Sequence, residues 1–160
     1  MAYADFTFYT DVYLGDALTE DNADRWLDRA SDELDVFTFG RLTDAFPTSA
    51  AHVVKVKKAV CAIADALFYI DEQKKAASAQ QADDGSYRGA IASITSGKES
   101  ISYAVGSAAS ISAYAAAAAS AGAQTQLLGD IAAKYLARVP DANGVFLLYA
   151  GVMNHGEAGL

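Results

Sequence analysis

Apolar positions recur at helical spacing in three long stretches of the chain, with polar breaks between them. In the first stretch, Ala23, Trp26 and Leu27, Ala30, Leu34 and Phe37 follow the 3.6-residue period. Asp24, Asp28, Asp32 and Asp35 occupy the opposite face, tempered by Arg25 and Arg29. Thr19-Glu20-Asp21-Asn22 is a helix start: Thr19 can accept from the free N–H groups, and the acids complement the dipole. The pattern predicts a helix from there to about Thr38, with Gly40 marking its exit.

The second stretch carries the strongest periodicity. Between Ser49 and about Ala77, the residues Val53, Val56, Val60, Ile63, Leu67 and Ile70 form a heptad seam, which requires a partner helix. Ala59, Ala62 and Ala66 beside it allow close approach, and the preceding helix can serve as partner through Leu34 and Phe37. The third stretch runs from Thr125 to Arg138, with Leu127, Leu128, Ile131, Ala132, Tyr135 and Leu136 on its apolar face. Gly129 inside it costs roughly 1 kcal/mol relative to Ala. Pro140 stops this helix. A shorter helix over Thr7–Leu14 pairs Phe8 with Val12 and Tyr9 with Tyr13, and Gly15 ends it.

Elsewhere the period changes. Ile101, Tyr103 and Val105 alternate with Ser102 and Ala104, and Ser96-Gly97-Lys98 supplies a turn, which predicts a β-hairpin over about 90–105. Residues 106–123 are rich in Ala and Ser and read as a linker, although Ala also favours helix. Residues 145–152 are apolar and β-permissive, opening a C-terminal docking segment over about 145–160. The fold expected is mainly α: a small bundle of about four helices in a single domain over 1–160, with a short β-hairpin before the last helix and an extended C-terminal segment.

Charge adds an asymmetry. Of the net charge of −8, all comes from residues 1–50, where eleven acids face three bases; the remaining residues carry nine of each. A protein that binds duplex DNA through its phosphates needs a basic footprint, and none is present. No run of about 18 strongly apolar residues exists, so no membrane span is expected. The first residues lack a basic n-region, so no signal peptide is expected either. The single cysteine, Cys61, sits among Val60, Ala62 and Ile63 and reads as a small buried hydrophobe.

Catalytic and metal-binding patterns are missing. His52 and His155 share no ligand spacing with Cys61, so no metal site is expected. Gly97-Lys98 fails as a P-loop, because Ala92 replaces a required Gly and Glu99 replaces the Ser or Thr that would hold magnesium. No cofactor is expected, and the chain does not read as an enzyme.

Four blocks remain to be explained. The first is Arg29, Ala30, Ser31, Leu34, Asp35, Thr38, Phe39, Gly40 and Arg41. The second is Val56, Lys57, Ala59, Cys61, Ala64 and Asp65; the third is Ser100-Ile101-Ser102-Tyr103-Ala104. The fourth comprises Ala132 or Ala133, Tyr135 and Leu136, then Leu147, Leu148, Tyr149, Gly151 and Val152. In this order they resemble the head-tail connector (adaptor) proteins of tailed bacteriophages over most of residues 3–152. The chain departs from that pattern in an insert over 139–146 and in Ala150, where a basic residue is usual.

The resemblance implies a structural virion protein at the head–tail interface, made in the host cytoplasm. Such adaptors form a ring of about a dozen copies beneath the portal protein. The ring extends the DNA channel, helps retain packaged DNA and presents a surface to a downstream stopper or tail protein. DNA passes through without specific binding. The implied interface residues are Ile101, Tyr103, Leu147, Leu148, Tyr149 and Val152, and Asp24, Asp28, Asp32 and Asp35 are channel-face candidates. The alternatives are another neck, head-completion or tail-completion protein, or an acidic DNA mimic that inhibits a DNA-binding enzyme.

Overall fold

A computed structural model describes residues 2–78, 93–96, 99–102 and 113–150, with side chains described for 2–75 and 113–150. The described residues are mainly helical. In chain order the helices are α1 (Phe6–Phe8), continued by a π-helical turn (Tyr9–Tyr13), then α2 (Glu20–Phe37), α3 (Arg41–Asp44), α4 (Ala50–Ser78), α5 (Ala113–Ala119) and α6 (Ala121–Leu136). The chain divides into two compact units, 1–65 with 128–160, and 66–127.

The first unit is built around α2, the first half of α4 and the end of α6. On α2 the stripe lies inward as expected: Ala23, Trp26, Leu27, Ala30 and Leu34 are buried. Asn22 Oδ1 accepts from the Thr19 N–H at 3.0 Å, so the side chain three residues on reaches back to the cap. On α4, Val56, Val60 and Ile63 of the seam are buried in this unit, and so are Ala59, Cys61 and Ala64 beside it. Each fully buried Val, Ile or Leu contributes about 1.5–3 kcal/mol relative to exposure. Gly129 has a packing reason that its propensity conceals. A Cβ there would lie 3.3 Å from Phe37 Cε1, so the glycine lets α2 and α6 approach closely.

The N-terminal element differs from the single helix expected over Thr7–Leu14. Asp5 caps α1, its Oδ1 accepting from the Phe8 N–H at 2.8 Å. The next turn is π rather than α. Leu14, at φ 62°, takes the left-handed position that ends it, and the Gly15 N–H bonds the Tyr9 carbonyl at 3.0 Å. Gly15 is therefore not the left-handed residue of this cap.

In the second unit, Ala66, Leu67, Ile70 and Ala117 are buried. Tyr69 packs its ring on Tyr114 at 5.2 Å and on Phe68 at 5.7 Å. Part of the expected 106–123 linker is helical: α5 covers Ala113–Ala119 and α6 begins at Ala121. Alanine has the highest helix propensity, and Ser120 separates the two helices. The last helix thus begins at Ala121, one turn before Thr125, where the sequence pattern starts it. The Thr125 hydroxyl donates to the Ala121 carbonyl at 3.1 Å from within α6. Residues 106–112 lie outside the described residues.

Two strands, β1 (Ser93–Ser96) and β2 (Glu99–Ser102), pair antiparallel with Ile94 opposite Ile101. Beyond this pairing the expected β-hairpin over 90–105 is not supported. None of its side chains is described, and Gly97 and Lys98 of the expected turn lie outside the described residues.

Candidate functional site

The first and last of the four sequence blocks meet in the first unit. Helix α2 ends in a Schellman motif: Gly40 N–H donates to the Asp35 carbonyl at 2.9 Å, and Phe39 N–H to the Val36 carbonyl at 3.2 Å. Phe39 occupies the left-handed position at φ 56°, where glycine is usual, and Gly40 follows at φ 74°. This double turn feeds directly into α3 and carries the Arg41 side chain inward, where only 4% of the residue is exposed. Arg41 Nη2 donates to the Tyr149 carbonyl at 2.9 Å, joining residues 108 apart in sequence.

The chain approaching Tyr149 is not the extended segment expected. Arg138, at φ 61°, ends α6, and residues 139–147 form a tight loop closed by the Pro140–Phe146 bridge. Asp141, 7% exposed, organises that loop. Its Oδ1 accepts from the Asn143 N–H at 2.8 Å and the Val145 N–H at 3.0 Å. Its backbone N–H donates to the Val145 carbonyl, and Ala142 N–H reaches the Ala45 carbonyl at 3.1 Å. The polar side chain replaces sheet partners for the loop amides, so the apolar segment is drawn onto its own unit.

This geometry sorts the expected interface residues. Leu147 is fully buried and belongs to the core of its unit. Leu148 is half-buried, and Tyr149 is 60% exposed. Ile101 lies on β2 with no side chain described, while Tyr103 and Val152 lie outside the described residues. Further exposed apolar side chains are Val36, Phe39 and Phe146. Val36 lies on the outer face of α2, whereas Phe39 and Phe146 are exposed by the turns that hold them, which periodicity does not report.

The acidic residues also separate. Asp24, Asp28 and Asp32 are exposed along the outer face of α2. Asp35 is half-buried, and its Oδ1 accepts from the Tyr3 hydroxyl at 2.7 Å. Burial, with help from the Asp35 and Asp32 charges, pushes the Tyr3 phenol up to about 12, so it remains a donor at neutral pH. Tyr3 is tied to the same helix by its backbone, whose N–H donates to Ser31 Oγ at 3.0 Å. Arg25 and Arg29 lie over the Trp26 ring, at 4.7 and 5.3 Å from its centroid.

A second polar cluster lies between the N-terminal turn and α4. The Tyr9 hydroxyl donates to Asp65 Oδ1 at 2.6 Å and accepts from the Ala17 and Leu18 N–H groups at 3.0 and 3.2 Å. Tyr13 bonds the same carboxylate, and the two rings lie 5.7 Å apart. A π-helical turn brings residues i and i+4 closer to eclipse than an α-turn does, so both phenols converge on one group. Burial raises the Asp65 carboxyl despite these donors, and the Asp16 charge adds to the rise. Burial likewise lifts Tyr9 and Tyr13, with Asp65 reinforcing both. The Cys61 thiol is pushed up to about 12, chiefly by burial, so it is held as a protonated, inert thiol. The signal available for Asp65 was its position as a lone acid among Ile63, Ala64, Ala66 and Leu67. Nothing local pointed to its tyrosine partners.

Among the described residues, no group of three His, Cys, Asp or Glu side chains could hold a metal ion. No helix among them is long and apolar enough to cross a membrane. A scan against protein-family models finds no match, and neither the curated proteins nor the solved structures searched yield one.

Proposed function

We propose that this chain is a structural adaptor of a tailed bacteriophage, one adaptor-like domain that assembles as a ring between the portal and the next neck or tail protein. The observation that carries this reading is the junction of Arg41 with Tyr149. Two blocks of the resemblance, far apart in sequence, come together in the fold, so they behave as one docking element. The element presents Tyr149 and Phe39 outward, while Leu147 anchors it from within. An anchored aromatic residue at a surface is suited to an interface, since it buries much area at little entropy cost.

The exposed row of Asp24, Asp28 and Asp32 supports a second element of the proposal. Repeated around a ring, it places negative charge along a rim or channel and disfavours adhesion of DNA phosphates. That repulsion is screened beyond about 8 Å at physiological salt. The paired strands Ser93–Ser96 and Glu99–Ser102 are proposed as a further contact, through addition of a partner strand.

The test is incubation of the purified protein with portal-bearing, tailless heads, imaged by electron microscopy. A ring added beneath the portal is the expected result. Heads left bare would refute the adaptor reading and favour another neck component. A one-to-one complex with a DNA-binding enzyme would favour the acidic mimic.

A further inference from the structure

The N-terminal segment, the end of α2, α3 and the chain after it border an open cleft of about 510 Å³, lined by Ala2, Tyr3, Asp35, Leu42, Thr43 and Phe46. Its polar groups converge. Asp35 Oδ1 takes the Tyr3 hydroxyl, and Thr43 Oγ1 lies 3.3 Å from that same hydroxyl. Among the described residues the second carboxylate oxygen of Asp35 receives no hydrogen bond and meets no cation. The Tyr3 and Phe46 rings stand 5.3 Å apart, tilted by 33°. The remaining walls, Leu42 and Ala2, are apolar.

We propose that this cleft binds the guanidinium group of an arginine presented by a partner polypeptide. The chemistry selects that group. A carboxylate already oriented by a phenol offers its open oxygen, with the Thr43 hydroxyl as a second acceptor. Planar guanidinium donates to both while lying against an aromatic face, which a compact ammonium does less well. Leu42 and Ala2 suit the methylene stem behind the charged head. The chain already sets guanidinium groups on an indole at Arg25 and Arg29. Charge favours a partner other than an anion, since the first fifty residues hold the whole net charge of −8. Tyr3 supplies the orientation: its raised phenol keeps its proton and cannot compete as a second anion. This proposal stands independently of the adaptor reading.

The test is titration of the isotope-labelled full-length protein, followed by NMR, with three probes. These are Nα-acetyl-arginine methylamide, its lysine counterpart, and a short peptide with one arginine between leucines. Saturable shifts at the Tyr3 and Thr43 amides are expected with the arginine probe, and tighter binding with the peptide. Asp35→Asn, whose amide oxygen still accepts from Tyr3, should weaken binding about tenfold or more. Asp24→Asn makes the same charge change on the outer face and should leave binding intact. Equal losses in both variants would overturn the site in favour of a diffuse field. Equal affinity for arginine and lysine probes would overturn the guanidinium assignment. A peptide no tighter than the free arginine probe would overturn the polypeptide partner. Shifts at Tyr3 that grow with protein concentration alone, without probe, would mean the cleft is filled by a second copy and overturn a distinct partner.

Discussion

Replacing Gly15 by alanine should destabilise the first unit far more than a surface loop substitution normally does. An alanine Cβ at this position would sit 2.2 Å from Tyr9 Cζ, 2.4 Å from Cε2 and 2.6 Å from the hydroxyl oxygen. Those distances are too short for any small adjustment, so the ring must leave its place. Tyr9 is fully buried, and its hydroxyl binds Asp65 and two backbone N–H groups. Displacing it forfeits a hydrogen bond to a charged group, about 1.5–3 kcal/mol. It also strands the Leu18 N–H in a buried setting, at about 1–3 kcal/mol. Against this, Gly→Ala reduces unfolded-state entropy and returns about 0.4–1 kcal/mol. Partial relaxation of the turn will recover some of the loss, leaving a net destabilisation of about 3 kcal/mol. For a chain of this size that corresponds to a fall in Tm of roughly 6–12 °C. Urea unfolding followed by circular dichroism measures it directly, and the near-ultraviolet tyrosine signal should change in parallel. The double variant Tyr9→Ala/Gly15→Ala supplies the decisive comparison. With the ring gone the clash is gone, so Gly15→Ala should add almost nothing to Tyr9→Ala. A Gly15→Ala protein within about 0.5 kcal/mol of the parent, or additive losses in the double variant, would refute the reasoning.

Two further substitutions probe the polar cluster and the turn after α2. Burial raises the Asp65 carboxyl in the fold, so the folded state holds its proton where the unfolded chain has lost it. Its contribution is therefore greatest below the ordinary carboxylate value of 3.8 and declines as pH rises through the interval up to the raised folded value. Urea titrations at stepped pH should show that decline in the parent relative to Asp65→Asn, and parallel curves would rule it out. Phe39 occupies a left-handed conformation with its side chain 58% exposed, so it bears backbone strain with little burial in return. Phe39→Gly should raise stability by about 1 kcal/mol in denaturant unfolding. A loss of stability would show that the phenylalanine ring is packed rather than presented.

The helices of this protein were legible because their signals are local. The α2 stripe from Ala23 to Phe37 and the α4 seam from Val53 to Ile70 repeat at the helical period, and burial followed them except at the ends, where Phe37 and Val53 are half-buried. The cap at Thr19 and the stop before Pro140 depend on residues within a turn of each other, so they too could be read directly. Less was legible where two patterns compete. The Ala-rich stretch suited both helix and linker, and the structure makes Ala113–Ala119 helical.

The functional surfaces depended on distance relations that no local pattern encodes. The apolar run at 145–152 read as extended. Asp141 instead satisfies the loop amides, and Arg41 takes the Tyr149 carbonyl, so Leu147 goes into the core and Tyr149 remains outside. Gly15 read as a helix terminator, whereas its missing side chain is what admits the Tyr9 ring. Asp35 belonged by spacing to the exposed acidic face, until Tyr3 drew it into the cleft wall. Periodicity assigns a residue to a face of its own helix. Whether that face meets water, a tyrosine or a distant carbonyl is set by the packing of other segments, which only the tertiary structure brings within hydrogen-bonding range.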